Sequence, residues 1–383
     1  MAPFPRSPAA APERALPDPP ARDPWMDNAR LALITLVVFG HCLEPLRGVA
    51  SLDALYRFLY LFHMPAFVFL SGAVARAEVD VRLLKRIAFR LLLPYLLFQG
   101  LYALAAHVPG WPDAGPKGVT TPYWLLWYLP SLAAWRLLMP LFVRLRRPLM
   151  LACALALAAG WADDVGYRMS LSRTAAFFPF FVLGYLHAPA WRERLRGPVP
   201  CMLAVATLLA LGAAAGAVPD PRWLYGSNGY AALGVNDAAG ALWRLLRLAA
   251  GVAGSAALLA LVPRRGFRLT PVGSRSLQAY LAHGFVVKAA AAAGVFGWLA
   301  AGVPALLVAP TLLLAAWLLV RLLASAPAAG LLGPLTSPRW LERHLWRAPP
   351  GRDRPAQLER ESSGRSAATS RSIALDSSIK RRA

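Results

Sequence analysis

The sequence predicts an all-α integral membrane protein, a bundle of about ten transmembrane helices with both ends in the cytoplasm. Of the 383 residues, 57% are apolar and 16% are charged, against about 25% charged residues in a typical soluble domain. The apolar residues form ten runs, most of them near the roughly 20 residues that cross a bilayer as a helix. Basic residues concentrate in alternate connections between these runs.

The ten candidate spans show no internal repeat, which argues against an inverted-repeat transporter. Prolines inside them, such as Pro65, Pro130 and Pro179, are tolerated where neighbouring helices satisfy the freed backbone groups. The expected spans are 31–46, 55–75, 87–108, 122–143, 148–162, 174–190, 199–218, 239–262, 276–297 and 302–323.

The distribution of positive charge predicts the topology. With the N-terminus in the cytoplasm, the inward connections carry fifteen Lys and Arg residues and the outward ones six, as the positive-inside rule requires. We therefore expect a disordered cytoplasmic segment at 1–24, with no cleavable signal peptide. A transmembrane domain follows at 25–325. A largely disordered, basic cytoplasmic tail follows at 326–383.

The net charge of +22 points to a lipid bilayer as partner and not to nucleic acid, because the basic residues lie between long apolar runs. The three cysteines, Cys42, Cys153 and Cys201, all lie within apolar runs and lack metal-ligand spacing. No metal site is expected.

The first span carries the clearest chemical pattern. Arg30 and His41 are 11 residues apart, so on an α-helix they leave the same face about 16 Å apart along the axis. A planar guanidinium binds phosphate well, and a deep histidine can serve as a general base. This spacing suits coenzyme A, which has phosphates at one end and a thioester at the other. The alternatives are an interfacial anchor for Arg30 and a helix-packing hydrogen bond for His41.

Two further residues could join His41 in catalysis. Glu44 lies one turn beyond His41 and could orient the imidazole, or it could be an interfacial carboxylate. His63, in the second span, lies at a depth similar to that of His41, and Pro65 would free backbone groups nearby.

Other intramembrane polar residues are candidates for binding. Arg136 lies deep in the fourth span and could contact a phosphate of the donor, or could extend to the cytoplasmic interface. Trp127 and Tyr128 could stack on a sugar or belong to an interfacial aromatic belt. His283, in the ninth span, is a candidate substrate-binding residue or makes an interhelical hydrogen bond.

Taken in order, these motifs resemble the membrane-bound acyltransferase-3 family, in its fucose-4-O-acetylase-like branch. The resemblance covers about 25–325 and rests on Arg30 with His41 and on three later motifs. Trp127-Tyr128-Leu129 is similar to the family's aromatic pair. The later motifs are Phe62-His63-Met64-Pro65 with Leu70-Ser71-Gly72, Phe178-Pro179-Phe180-Phe181 with Gly184-Tyr185, and Tyr280 with His283.

The resemblance implies a membrane-embedded O-acyltransferase, most simply an O-acetyltransferase of a bacterial-type inner membrane. Acetyl-CoA or another acyl-CoA would be the donor substrate, with no permanently bound cofactor. The acceptor would be a hydroxyl of an envelope or exported carbohydrate or glycolipid. His41 would be catalytic and Arg30 would bind the donor. The alternative hypothesis is a transporter or flippase of a glycan or lipid-linked precursor, and the oligomeric state is left open.

Overall fold

The computed structural model describes residues 23–163, 166 and 168–346, and within these residues the secondary structure is entirely helical. The chain divides into two compact units, Met1–Ser337 and Pro338–Ala383. The expected segment 1–24 is described only from residue 23, and the expected tail beyond residue 346 lies outside the described residues.

Sixteen α-helices follow one another in the described part, with short 3-10 turns and one π-helical stretch, Ala88–Leu92, between them. The first eight are α1 (Pro24–Leu43), α2 (Ala50–Ala73), α3 (Val81–Ile87), α4 (Leu93–Ala105), α5 (Tyr128–Phe142), α6 (Pro148–Ala158), α7 (Leu171–Arg194) and α8 (Pro198–Ala214). The others are α9 (Arg222–Tyr225), α10 (Asp237–Leu261), α11 (Thr270–Gly273), α12 (Ser276–Ala292), α13 (Val295–Gly302), α14 (Ala305–Leu323), α15 (Ala326–Thr336) and α16 (Arg339–Leu345).

The all-helical membrane class is confirmed, whereas the count of ten spans is not. Among the described residues, eight helical segments are long and apolar enough to cross a membrane. A ninth forms if α12 and α13, which meet at a 63° bend, count as one span. The expected span 148–162 is an 11-residue helix, α6, because the chain turns at Gly160, against which the ring of Tyr230 packs.

Helices α2 and α7 cross with their backbones in close contact. A Cβ added at Gly72 would lie 2.0 Å from the carbonyl oxygen of Phe181, and one at Gly184 would lie 2.0 Å from that of Phe69. Small residues allow backbones in a membrane to approach closely, so that van der Waals contact replaces the missing hydrophobic drive between helices. These two glycines therefore fix the position of α2, which carries His63.

Polar contacts hold the N-terminal end of α1. The Asp23 carboxylate accepts a hydrogen bond from the Trp25 backbone N–H and caps the helix. The buried Asn28 amide donates to the carbonyls of Pro263 and Arg265, at 2.8 and 3.0 Å, and accepts from the Thr270 hydroxyl. The anchored α1 then runs without a break to Leu43, and this fixes Arg30 and His41 on one rigid element.

The region expected to begin the tail contains regular structure. Residues Ala326–Thr336 form α15, which is capped by Ser325 and packs against α12 and α4 within the first unit. The boundary between the two units follows Ser337, 12 residues after the expected end of the transmembrane domain. The second unit has one described helix, α16.

Candidate active site

The C-terminal end of α1 carries a histidine–carboxylate pair. His41 Nδ1 lies 3.3 Å from Glu44 Oε2, one turn along the chain. The indole N–H of Trp124, just before α5, donates to the same carboxylate oxygen at 3.0 Å. Because an ionised carboxylate only accepts hydrogen bonds, His41 Nδ1 donates and Nε2 is left as the acceptor of the ring. This is the tautomer that a general base requires.

A cavity of about 220 Å³ opens beside this pair. Its wall is mostly aromatic, with histidine, glutamate or arginine side chains at four positions, His41, Glu44, His63 and Arg173. The lining residues are His41, Glu44, Tyr56, Tyr60, His63, Met64, Pro122, Trp124, Trp127, Arg173, Phe177, Leu224 and Tyr225. Of the residues singled out from the sequence, His41, Glu44, His63 and Trp127 therefore meet at one cavity.

The other two candidate histidines, His63 and His283, lie close to His41. His63 Nδ1 lies 2.7 Å from the carbonyl oxygen of Leu59, to which it donates, so its Nε2 carries the lone pair. His283 is fully buried, and its ring centre lies 5.3 Å from that of His41. His283 Nδ1 donates to the Ala279 carbonyl at 3.1 Å, while Nε2 has no hydrogen-bond partner among the described residues. His283 thus stands behind His41 and does not line the cavity.

Trp124 holds an unusual backbone conformation at this site. Its φ of +41° lies in the left-handed region, which costs a bulky residue about 1–3 kcal/mol. The ring lies 4.4 Å from that of His41, and the ammonium of Lys288 lies 4.6 Å from its centre. The strained backbone therefore places one indole against the imidazole, the Glu44 carboxylate and a cation.

A loop carboxylate secures Lys288 near the rim of the site. Asp113 accepts hydrogen bonds from Lys288 Nζ at 2.7 Å and from the Tyr123 hydroxyl at 2.6 Å. Partial burial raises the pKa of Asp113, but hydrogen bonds from Lys288, Tyr123 and the Gly115 backbone outweigh it, and the net pKa is lowered. Asp113 is therefore ionised throughout the neutral range.

The two candidate donor-binding arginines lie apart from this cavity. Arg30 is partly buried and pairs with Asp27 at 3.1 Å. Arg136 lines a separate cavity of about 60 Å³ together with Arg76 and Arg86, and its buried Nε has no hydrogen-bond partner among the described residues.

Tyr128 differs from its neighbour Trp127. The Tyr128 hydroxyl lies 2.5 Å from the Ser71 hydroxyl, and the side chain is buried between the helices. Trp127 faces the cavity, with the guanidinium of Arg173 5.3 Å from its ring centre. The structure thus places only Trp127 of this pair on the cavity that His41 lines.

Sequence reasoning missed several residues around the cavity. Neither Trp124 nor Arg173 was among the predicted site residues, although both line the cavity. Arg244 and Arg247 in α10 are buried and donate to backbone carbonyls. A usable signal for those two was present in the sequence, because arginine inside an apolar span is expensive and marks a function or a structural role.

The comparisons with known proteins agree with this architecture. A sequence profile of the acyltransferase-3 family, described as "Acyltransferase domain", matches residues 23–322. The "Nodulation protein NolL" of Mesorhizobium japonicum is 29% identical over 186 residues, 44% of this chain and 48% of that protein. The protein of the same description from Sinorhizobium fredii is 28% identical over 191 residues, 45% of this chain and 50% of that protein.

The chain thus spans about half the length of the curated relatives it matches. No solved structure shows a significant match to it. The family profile covers most of the chain and includes every residue discussed around the two cavities. The resemblance at the family level is confirmed, and the narrower branch stays a prediction. The chain belongs to the acyltransferase-3 family and is an integral membrane protein.

Proposed function

We propose that this protein is an acyl-CoA-dependent O-acyltransferase, in its simplest form an O-acetyltransferase. The observation that carries the proposal is the His41–Glu44 pair at an aromatic cavity, on the same unbroken helix as Arg30. The pair supplies a base with the correct tautomer, and the helix sets a donor-binding arginine about 16 Å away along its axis.

In the proposed reaction, His41 Nε2 takes the proton from an acceptor hydroxyl as its oxygen attacks the thioester carbonyl. The C–S bond then breaks, and the imidazolium returns the proton to the departing thiolate of coenzyme A. Glu44 holds Nδ1–H and stabilises the positive charge that forms on the ring. An acyl-histidine relay uses the same residues, with His41 as the nucleophile.

The donor is proposed to lie along α1, with its phosphates near Arg30 and Arg136. The orphaned Nε of Arg136 and the neighbouring Arg76 and Arg86 fit this role, because guanidinium groups form charge-assisted, often bidentate bonds to phosphate oxygens. The pantetheine arm would then extend toward His41, past the region of Tyr128.

The acceptor is proposed to be a carbohydrate or glycolipid, for which the aromatic wall of the His41 cavity offers stacking surfaces. An envelope or exported glycan would reach such a site from a bacterial-type inner membrane, the location that we propose. The fucose-4-O-acetylase-like branch is part of the same proposal. It rests on the motif order alone.

The first experiment is acetyl-CoA binding to the purified full-length protein in detergent, with free CoA as competitor. We expect saturable binding that Arg30→Ala weakens about tenfold or more, since a charge-assisted phosphate contact is lost. Arg194→Ala is the matched control, because Arg194 is exposed at the end of α7. Undiminished binding by the Arg30 variant would contradict the donor assignment.

A second measurement follows acyl transfer itself. We expect His41→Ala to lower kcat by roughly 10²- to 10⁴-fold, the usual contribution of a general base, without weakening acetyl-CoA binding. His187→Ala, which changes an exposed histidine, should leave the rate unaltered. Full activity of a well-folded His41 variant would refute the mechanism. Glycan movement across vesicles without any acyl-CoA requirement would favour the transporter hypothesis instead.

A further inference from the structure

The His41 cavity carries a cation on its wall that the proposed reaction does not use. Arg173 lies at the start of α7, lines the cavity and stands 5.3 Å from the ring centre of Trp127. We propose that Arg173 binds an anionic group of the acceptor, so that the protein acylates acidic carbohydrates, which bear a carboxylate or a phosphate. This inference rests on the proposed function and names its acceptor class.

The carboxylate on the cavity wall is already engaged. Glu44 binds the His41 ring and the Trp124 indole through the same oxygen, Oε2. That oxygen is therefore occupied by the imidazole and the indole. An incoming anion at Arg173 would thus meet a cation without displacing the catalytic pair.

A further arginine, Arg247, lies directly behind the wall. The guanidinium of Arg247 lies 4.7 Å from the ring centre of Phe177 and donates to the Leu224 carbonyl, so it backs two lining residues. All of its hydrogen bonds found among the described residues go to backbone carbonyls. In a low-dielectric interior, a cation held by carbonyl dipoles reinforces the attraction of the cavity for anions.

Another cation lies behind a second part of the wall. Arg47 lies 5.0 Å from the ring centre of Tyr56, and its Nη1 donates to the Tyr225 hydroxyl at 3.4 Å. Arg47 shares the carboxylate of Asp53 with Arg57. One acidic group thus serves two cations on this side of the cavity.

The aromatic residues of the wall indicate the chemistry of the rest of the ligand. Tyr56 and Tyr60 stack at 4.0 Å, the hydroxyls of Tyr56 and Tyr225 lie 2.8 Å apart, and Trp127 completes the wall. Such surfaces suit the faces of a sugar ring, while the hydroxyls offer hydrogen bonds. A sugar with an acidic substituent satisfies both the aromatic wall and Arg173.

The phosphates of the donor have a separate location available. Arg136, Arg76 and Arg86 line the other cavity together with Glu78 and Asp80, and this cavity shares no lining residue with the first. Arg173 is thus assigned to the acceptor and not to acyl-CoA. If Arg173 binds the acceptor, its substitution raises the KM for the acceptor. If it binds acyl-CoA, the same substitution raises the KM for acetyl-CoA.

A binding measurement tests the inference without turnover. The probes are glucose, glucuronate and glucose 6-phosphate, titrated calorimetrically into the full-length protein in nanodiscs. We expect at least one of the two anions to bind about tenfold or more tightly than glucose, and Arg173→Gln to remove that preference. The two anions distinguish a carboxylate acceptor from a phosphate acceptor. Equal binding of all three probes would overturn the inference, whatever the outcome with acetyl-CoA.

Kinetics with acetyl-CoA separates the acceptor site from the donor site. For the preferred acidic sugar, Arg173→Gln should raise the acceptor KM about tenfold or more and leave the KM for acetyl-CoA unaltered, and Arg173→Lys should recover part of the loss. Arg222→Gln changes an exposed arginine outside the cavity and serves as the control. A raised KM for acetyl-CoA, or an equal loss with neutral sugars, would refute the assignment.

Discussion

Helices α1 and α8 are both apolar, but they are used in opposite ways. In the span of α1, 67% of the most apolar window is buried inside the protein, whereas in the span of α8 the buried share is 11%. The α8 sequence contains no charged residue, while α1 carries Asp27, Arg30 and His41. In a membrane protein the most uniformly apolar helix faces lipid, and the helix with scattered polar residues enters the bundle.

The same contrast holds for packing. Where α2 crosses α7, glycines bring the backbones into contact, and both helices contribute lining residues to the His41 cavity. On α8, an added Cβ at Gly212 would meet only the Phe58 ring, at 3.8 Å, an ordinary van der Waals distance. The position of a helix in the bundle, more than its composition, therefore sets the cost of a substitution.

The largest expected effect comes from adding one methyl group where α2 and α7 cross. Gly184→Ala would place its Cβ 2.0 Å from the Phe69 carbonyl oxygen, so α2 and α7 would have to separate. We expect a destabilisation of about 3 kcal/mol or more, measured as the thermal midpoint in detergent together with the yield of monodisperse protein.

The matched change, Gly212→Ala on α8, should keep or slightly raise the thermal midpoint, because alanine is the better helix former. A lipid-facing truncation, Leu203→Ala, should likewise stay within about 0.5 kcal/mol of the parent. If Gly184→Ala were as stable as Gly212→Ala, the close crossing of α2 and α7 would be contradicted.

An intermediate effect is expected where the α1 helix ends. Glu44→Gln keeps the size of the side chain and an acceptor for Trp124 but removes the negative charge beside His41. We expect kcat to fall roughly 10²-fold, the lower end of a general base's contribution, with acetyl-CoA binding preserved. Glu193→Gln, an exposed carboxylate on α7, is the control. An unaltered kcat would show that Glu44 does not assist the histidine.

The smallest effect is expected outside the membrane, where water screens charge. The lowered pKa of Asp113 means that its bonds to Lys288 and Tyr123 stabilise the fold above about pH 4, and that this contribution is lost as the pH falls through the lowered pKa. Asp113→Asn should therefore lower the free energy of unfolding at pH 7 by about 1 kcal/mol at most, and by progressively less as the pH falls below about 4, with the thermal midpoint as the measurement. If the stability difference between Asp113→Asn and the parent did not change with pH, the ion pair between Asp113 and Lys288 would be contradicted.

Much of the site on α1 could be predicted, because helical periodicity relates residues that are near in sequence. The spacing predicted one helix face for Arg30 and His41, and it placed Glu44 one turn beyond His41, near enough to orient the imidazole. In the structure His41 Nδ1 and Glu44 Oε2 are 3.3 Å apart. The all-helical class followed from composition in the same direct way.

Contacts between distant segments were beyond such reasoning. Trp124 lies 80 residues from Glu44 in the chain. No local sequence pattern predicts that Trp124 adopts a positive φ or that its indole reaches the Glu44 carboxylate. The 63° bend between α12 and α13 and the early end of α6 also depend on packing partners. The arginines of α10 were visible as charges in an apolar run, but their carbonyl partners come from other elements.

The unbroken course of α1 has a consequence for how the gene can vary. A substitution between Arg30 and His41 leaves both end groups in place, whereas one inserted residue would turn His41 by about 100° and move it about 1.5 Å further along. That rotation would take the imidazole off the cavity even if every other side chain were kept. Selection on this stretch therefore acts on the number of codons more strictly than on most of the amino acids they encode.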